Sequence, residues 1–145
     1  MLFFFIVKTS QFPHISSIFR HSMHGTMRAK GEMHMIVSIT TRPNTLIAHL
    51  TGELDEHTAA DARKRLDLAI HMACVQNFIF DFSGLTFMDS TGIGVLLGRY
   101  KALRAKHMRI YIANPSPHID KILNMAGIYS IMQKINERGQ NEQLF

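Results

Sequence analysis

The alternation of apolar and polar residues begins at Met35 and predicts a β-hairpin. Apolar side chains occupy every second position from 35 to 39 and again from 46 to 50, with Pro43 and Asn44 between the two runs. A period of two is typical of strands with one buried face, and proline and asparagine favour turns. The pattern therefore predicts two strands joined by a short turn.

Apolar residues recur at spacings of three and four in three later segments, and each of these predicts an amphipathic helix. The first helix runs from about 56 to 73 and follows Asp55, whose carboxylate can cap it. The third begins at Ser116-Pro117, a favourable cap and first position, and ends at Gly127. The second helix carries its apolar residues on one face: Ile93, Leu96, Leu97, Tyr100 and Leu103.

Two apolar runs between these helices predict further strands. Residues 78–82 are apolar except for Asp81, which suits a central strand covered on both faces, and a small apolar cluster follows at 85–88. Residues 108–112 alternate, and a last short strand or turn is expected near Ile131. Strands that alternate with helices predict an α/β sandwich, in which helices connect the parallel central strands of a mixed sheet.

The ends of the chain fit this domain poorly. We expect residues 1–32 to be a flexible or mis-started extension, residues 33–135 to form the domain, and residues 136–145 to be a polar tail. The chain opens with six apolar residues, Leu2 to Val7. A spanning helix needs about 20 and the apolar core of a signal peptide at least about 7. The opening stretch therefore predicts no membrane segment.

Composition and charge narrow the class of protein. With 145 residues, 46% of them hydrophobic, the chain can bury one core without disulfides or a structural metal. Its single cysteine, Cys74, cannot pair within the chain and suits a reducing, cytoplasmic setting. The net charge is +5, but residues 33–145 carry only 12 basic and 10 acidic groups. This domain is nearly balanced in charge and has no run of lysines or arginines, which argues against direct binding of nucleic acid.

The candidate functional site is the segment from Asp89 to Gly94, where a strand passes into a helix. Such junctions are exposed in α/β folds, and partners and ligands tend to meet the protein there. Ser90 has two interpretations that the residues alone leave open. It can serve only as a helix N-cap, or its hydroxyl can accept a phosphoryl group and so place about two negative charges on the surface.

Enzymatic alternatives find little support in the motifs. A serine-hydrolase elbow needs glycine two positions before the nucleophile, where this chain has Met88. Gly92, Gly94 and Gly98 are spaced one residue too widely for a dinucleotide fingerprint, and we expect Gly94 and Gly98 to allow close packing of a neighbour. The histidines show no metal-ligand spacing. The sequence therefore predicts a binding protein without a metal or cofactor.

The site segment closely resembles the central signature of the STAS-domain anti-sigma-factor antagonists, above all the sporulation antagonists. The resemblance rests on residues 87–101 and is supported by residues 50–59, 116–117 and 125–128. It covers about residues 35 to 135. It implies a STAS-like sandwich, with about four or five strands in a mixed sheet and about four helices.

This resemblance implies a partner-switching cycle in the cytoplasm. The unphosphorylated protein would bind an anti-sigma factor that is a serine kinase, which frees a sigma factor and promotes transcription. Phosphorylation of Ser90 would end binding, and a PP2C-type phosphatase would restore it. The partner-binding residues would be Asp55, His57, Asp89, Thr91, Gly92 and Gly94, with Thr91 as a less favoured acceptor. The alternative is a STAS-type scaffold or regulator of another partner, such as a stress-signalling complex or a transporter.

Overall fold

Five strands lie side by side in the order in which they occur along the chain. The computed structural model describes residues 34–136. Strand β1 pairs antiparallel with β2, and β2 to β5 are mutually parallel, which confirms the predicted mixed sheet. The strands are β1 Ile36–Arg42, β2 Thr45–Leu54, β3 Asn77–Met88, β4 Arg109–Ala113 and β5 Gln133–Ile135.

Three α-helices and one short 3-10 turn connect the parallel strands, close to the predicted number of helices. The helices are α1 Ala59–Met72, α2 Ser90–Ala105 and α3 Pro117–Met125, and the 3-10 turn is Ile128–Ser130. Helix α3 begins as predicted, with the Ser116 hydroxyl accepting from the Ile119 amide at 3.3 Å and proline in the first turn. In residues 34–136, no helix combines the length and apolar character needed to cross a membrane.

The helices share one core with one face of the sheet. Alternate residues of β3, Phe78, Phe80 and Phe82, are fully buried there, and the first two rings lie 4.8 Å apart. Leu66, Leu96 and Leu123 bring apolar side chains from the three helices into the same core. The opposite face of β3 is also buried around Ile79, as predicted for a central strand.

Strand β3 is longer than the sequence predicted. The run at 78–82 and the cluster at 85–88 belong to one strand that continues through Ser83 and Gly84. Its pairing with β2 shifts register twice, once between His49 and Thr51 and once between Gly52 and Glu53, so that β3 holds one extra residue at each place. Such bulges bend and twist a strand without ending it.

A polar cluster marks the point at which β4 leaves β3. Asp81 is the last residue of β3 that pairs with β4, and its carboxylate accepts from the Ser83 amide at 3.1 Å and from the Asn114 side chain at 3.1 Å. His49 Nδ1 lies 2.6 Å from the other carboxylate oxygen, and its Nε2 lies 3.0 Å from the Thr40 hydroxyl. The carboxylate thus satisfies donors that β4 no longer reaches.

We predict that Asp81 makes the fold sensitive to acid. Burial opposes its ionisation, but hydrogen bonds from Asn114, His49 and Ser83 hold the pKa of Asp81 below its ordinary value of 3.8. A lowered native-state pKa stabilises the fold above the unfolded pKa, and this contribution is lost as the pH falls through the native pKa. Urea unfolding between pH 7 and pH 2 should therefore show a smaller acid loss of stability for Asp81→Asn than for the wild type. Equal losses would contradict this account.

The end of α1 is closed by Lys106, the residue that directly follows α2. Lys106 Nζ donates to the carbonyl oxygens of Ile70, His71 and Ala73 at 2.5, 2.9 and 3.2 Å. The carbonyl oxygen of Ile70 also accepts from the Ala73 amide at 3.3 Å, and a cation at the last carbonyls of a helix suits that end of the helix dipole. The contact fixes the α1 and α2 ends together, opposite the sheet edge that carries Ser90.

Two predicted segments cannot be compared with this fold. The extension predicted at 1–32 lies outside the described residues. The same is true of the predicted tail, except for Asn136. Both therefore stay predictions.

Candidate functional site

The ends of β2 and β3 bring the predicted site residues to one edge of the sheet. Leu54 and Met88 are paired in register as the last residues of these neighbouring parallel strands. The Asp89 amide donates to the Leu54 carbonyl at 3.3 Å, which links the two strand ends. Asp55 and Asp89 therefore follow side by side, each at the entrance to a helix.

Asp89, rather than Ser90, is the N-cap of α2. Its carboxylate Oδ1 accepts from the Thr91 and Gly92 amides at 2.8 and 3.1 Å, and its carbonyl accepts from the Ile93 amide at 3.2 Å. The interpretation of Ser90 as the cap was wrong by one residue. Aspartate is as good a cap as serine, and the extended backbone of Asp89 is the conformation that a cap requires.

Ser90 is the first residue of α2 and is exposed. Within residues 34–136 its hydroxyl has no hydrogen-bond partner. Because Asp89 already accepts the first free amides of the helix, the hydroxyl is not needed to cap α2. The hydroxyl is therefore exposed to solvent and is not required to hold the start of α2.

Asp55 was predicted to cap α1, but it holds the turn that precedes the helix, and the N-cap of α1 is Thr58. Its Oδ1 accepts from the His57 and Thr58 amides at 2.9 and 3.0 Å. These hydrogen bonds, led by that from the Thr58 amide, lower the pKa of Asp55. The Thr58 hydroxyl donates to the Glu53 carbonyl at 2.8 Å. The regular helix begins at Ala59, three residues later than predicted, because this capped turn precedes it.

His57 lies exposed in that capped turn, on the same edge as Ser90. Thr91 is half-buried, and its amide is held by Asp89. Ser90 is thus the more accessible of the two neighbouring hydroxyl residues. The roles of His57 and Thr91 in partner binding stay predictions.

The glycines of α2 differ in what surrounds them. Gly92 is buried, and a Cβ there would lie 2.6 Å from Met88 Cγ and 2.9 Å from the Leu54 carbonyl oxygen. Its small size therefore serves packing inside the domain, and we do not retain Gly92 as a direct partner contact. A Cβ at Gly94 or Gly98 would meet nothing within 4 Å, so the close packing expected at these two glycines was wrong.

The prediction that Leu97 lies on the apolar face of α2 was wrong. Leu97 was assigned to the buried face of α2, but 39% of it is exposed, whereas its neighbour Leu96 is fully buried. On a helix, Leu97 lies on the same side as Ser90 and Gly94. These three residues form an outward-facing strip on the first two turns of α2, which we call the α2 strip.

The edge around Ser90 is acidic. Residues 51–58 and 83–92 include Glu53, Asp55, Glu56 and Asp89, and they contain no lysine or arginine. Among residues 34–136, no three or more histidine, cysteine, aspartate or glutamate side chains lie together in a group that could hold a metal ion. The edge therefore presents an exposed hydroxyl in a negatively charged setting.

Comparison with known proteins places the whole domain. The STAS domain family model matches residues 37–140. The anti-sigma F factor antagonist of Lysinibacillus sphaericus is 36% identical over 105 residues, which cover 72% of this chain and 89% of the relative. The solved structure of the anti-sigma factor antagonist SpoIIAA in its unphosphorylated form superposes with a TM-score of 0.59 at 35% identity, covering 71% of this chain and 89% of that one.

A second solved structure, the Bacillus cell fate determinant SpoIIAA in the phosphorylated form, gives a TM-score of 0.57 at 32% identity. It covers 77% of this chain and 99% of its own. The same fold has therefore been solved with and without the modification. With the family model matching more than half of the chain and relatives above 30% identity, the protein belongs to the STAS domain family.

Proposed function

We propose that this protein is an anti-sigma-factor antagonist that is switched by phosphorylation of Ser90. Unphosphorylated, it binds an anti-sigma factor with serine-kinase activity, and the sigma factor is released to direct transcription, with sporulation as the process that the relatives suggest. Phosphorylated, it no longer binds. The observation that carries the proposal is the exposed Ser90 hydroxyl at the first position of a helix whose cap is supplied by another residue.

The geometry supports a switch that acts on binding and leaves the fold intact. A phosphoserine carries about −1.5 to −2 charges at pH 7. The positive end of α2 favours that charge by roughly 0.3 to 1 kcal/mol. Asp89 opposes it, and the amides of Thr91 and Gly92 are already bonded to Asp89. The domain therefore gains and loses little when Ser90 is modified.

A docked partner would experience the change far more strongly. The α2 strip is partly apolar, because Leu97 is exposed, and Gly94 adds no side chain to it. A partner that covers it removes water from the site of modification. An unpaired or like charge in such an interface costs several kcal/mol, and each 1.4 kcal/mol changes affinity tenfold. This difference between fold and interface is the physical basis of the switch.

We also propose the further partners and the setting that the family resemblance implies. The kinase supplies ATP and its metal ion, so the antagonist needs no cofactor of its own. Asp55, His57, Asp89 and Thr91 would border the docking surface beside the α2 strip. A PP2C-type phosphatase would restore Ser90. The cycle would take place in the cytoplasm, without direct contact to nucleic acid or membrane.

The experiment that tests this function is capture of the partner followed by displacement of the sigma factor. The immobilised full chain should retrieve a small ATP-binding kinase from extract of its host. Titrating the chain into a purified complex of that kinase with its sigma factor should then release the sigma factor. Capture of a partner without kinase activity would contradict the proposal and favour a scaffold or regulator of another complex.

A further inference from the structure

Within residues 34–136, strand β1 forms an edge of the sheet, and its own sequence lacks the features that usually protect an edge strand. Its first six residues, Ile36 to Thr41, contain no charge and no proline, and five of the six are β-branched. Its pairing with β2 runs through all seven residues without a register shift. The strand at the other edge, β5, has only three residues and includes Lys134. Natural edge strands avoid pairing by being short, charged, bulged or interrupted by proline.

The hairpin geometry shows which main-chain groups point away from β2. Arg42 and Thr45 close a two-residue turn, so they form a hydrogen-bonded pair. Because hydrogen-bonded and non-bonded pairs alternate along an antiparallel ladder, the amides and carbonyls of Val37, Ile39 and Thr41 face outward. These three residues present a regular row of donors and acceptors to a further strand.

The same row is complementary to itself. If β1 meets a second β1 antiparallel about a two-fold axis at Ile39, then Val37 faces Thr41 and each outward row bonds the other, with on the order of six hydrogen bonds. Ser38 then lies opposite Thr40, hydroxyl against hydroxyl. Arg42, the sole charged residue of the strand, lies opposite the uncharged and exposed Ile36. No like charges meet in this register.

We propose that two copies of this chain associate through β1 to form one continuous ten-stranded sheet, twice the five strands of a single domain. The register pairs residue 36 of one copy with residue 42 of the other. Ser90 is at the end of the central strand β3, two strands away from this edge, and stays exposed in both copies. The interface involves few residues, so association is weak and depends on concentration.

Substitutions at Ile36 test the register through charge. Ile36→Lys places a lysine opposite Arg42 at both ends of the interface, whereas Ile36→Glu places a glutamate there. Both variants remove the same exposed side chain, so a general folding defect would affect them alike. Cross-strand charge pairs of this kind contribute enough that the dimer dissociation constant should be about tenfold higher for Ile36→Lys than for Ile36→Glu. Sedimentation velocity of the full chain over a range of concentrations measures both constants.

A second measurement follows the backbone directly. Amide exchange of Val37, Ile39 and Thr41 should slow as the concentration of the full chain rises, and Thr41→Pro, which removes one outward donor, should abolish that dependence. The proposal is overturned if the wild-type chain sediments as a monomer at every concentration. It is also overturned if the two Ile36 variants associate equally, or if protection of these amides does not depend on concentration, as expected when another segment of the same chain covers the edge.

Discussion

Ser90→Ala is expected to abolish phosphorylation of this protein by its anti-sigma-factor kinase while leaving kinase binding within about twofold of the wild type. The hydroxyl is the proposed acceptor, and its loss removes no hydrogen bond within the described part of the chain. Since Asp89 caps α2, we also expect the free energy of unfolding to stay within about 0.5 kcal/mol. Radiolabelling with purified kinase and urea unfolding measure the two properties separately.

Phosphorylated wild-type protein, in contrast to Ser90→Ala, should bind the kinase weakly. Its affinity for the kinase should fall at least about 100-fold, because a desolvated double charge costs several kcal/mol at an interface, while its unfolding curve should barely move. Thr91→Ala serves as the control, since it should still be labelled at Ser90. Labelling of Ser90→Ala, or undiminished binding of the phosphorylated chain, would contradict the proposed switch.

Gly92→Ala is expected to destabilise the domain by about 1 to 3 kcal/mol, although alanine is the better helix former. The new methyl group would lie within 3 Å of Met88 Cγ and of the Leu54 carbonyl oxygen, so strand ends and helix must move apart. Overpacking of a buried site commonly costs this much. Urea unfolding monitored by circular dichroism measures the effect.

Gly94→Ala provides the matched control, two residues further along the same helix. A Cβ there meets nothing within 4 Å, so the gain in helix propensity should stabilise the domain by roughly 0.5 to 1 kcal/mol. The two substitutions thus change stability in opposite directions. If both stabilise, the packing role assigned to Gly92 is wrong.

Much of the fold could be predicted because its signals are local. The period-two alternation located β1, β2 and β4, and Ser116, Pro117 and Gly127 bounded α3 within a residue or two. The length of β3 could not be predicted from the same signals. Ser83-Gly84 looks like a turn, and only the pairing with β2 shows that two bulges keep the strand continuous.

The candidate site was predictable to within one residue. Asp89 and Ser90 are both good caps, and the sequence offers no reason to prefer either until the backbone shows which carboxylate or hydroxyl reaches the free amides. The side of α2 that Leu97 occupies depends likewise on tertiary packing. Spacings of three and four allow either Leu96 or Leu97 to face the core, and the neighbouring elements select Leu96.

The capping of α2 by Asp89 also bears on how quickly the protein can be reset. Because the Thr91 and Gly92 amides are already bonded to Asp89, they would not be available to hold a phosphoryl group on Ser90, which is exposed. A hydrolytic enzyme would therefore not have to break hydrogen bonds from these two amides before it reaches the phosphorus atom. The rate at which the active form is recovered should therefore rise in proportion to the concentration of that enzyme, which would set the lifetime of the signal.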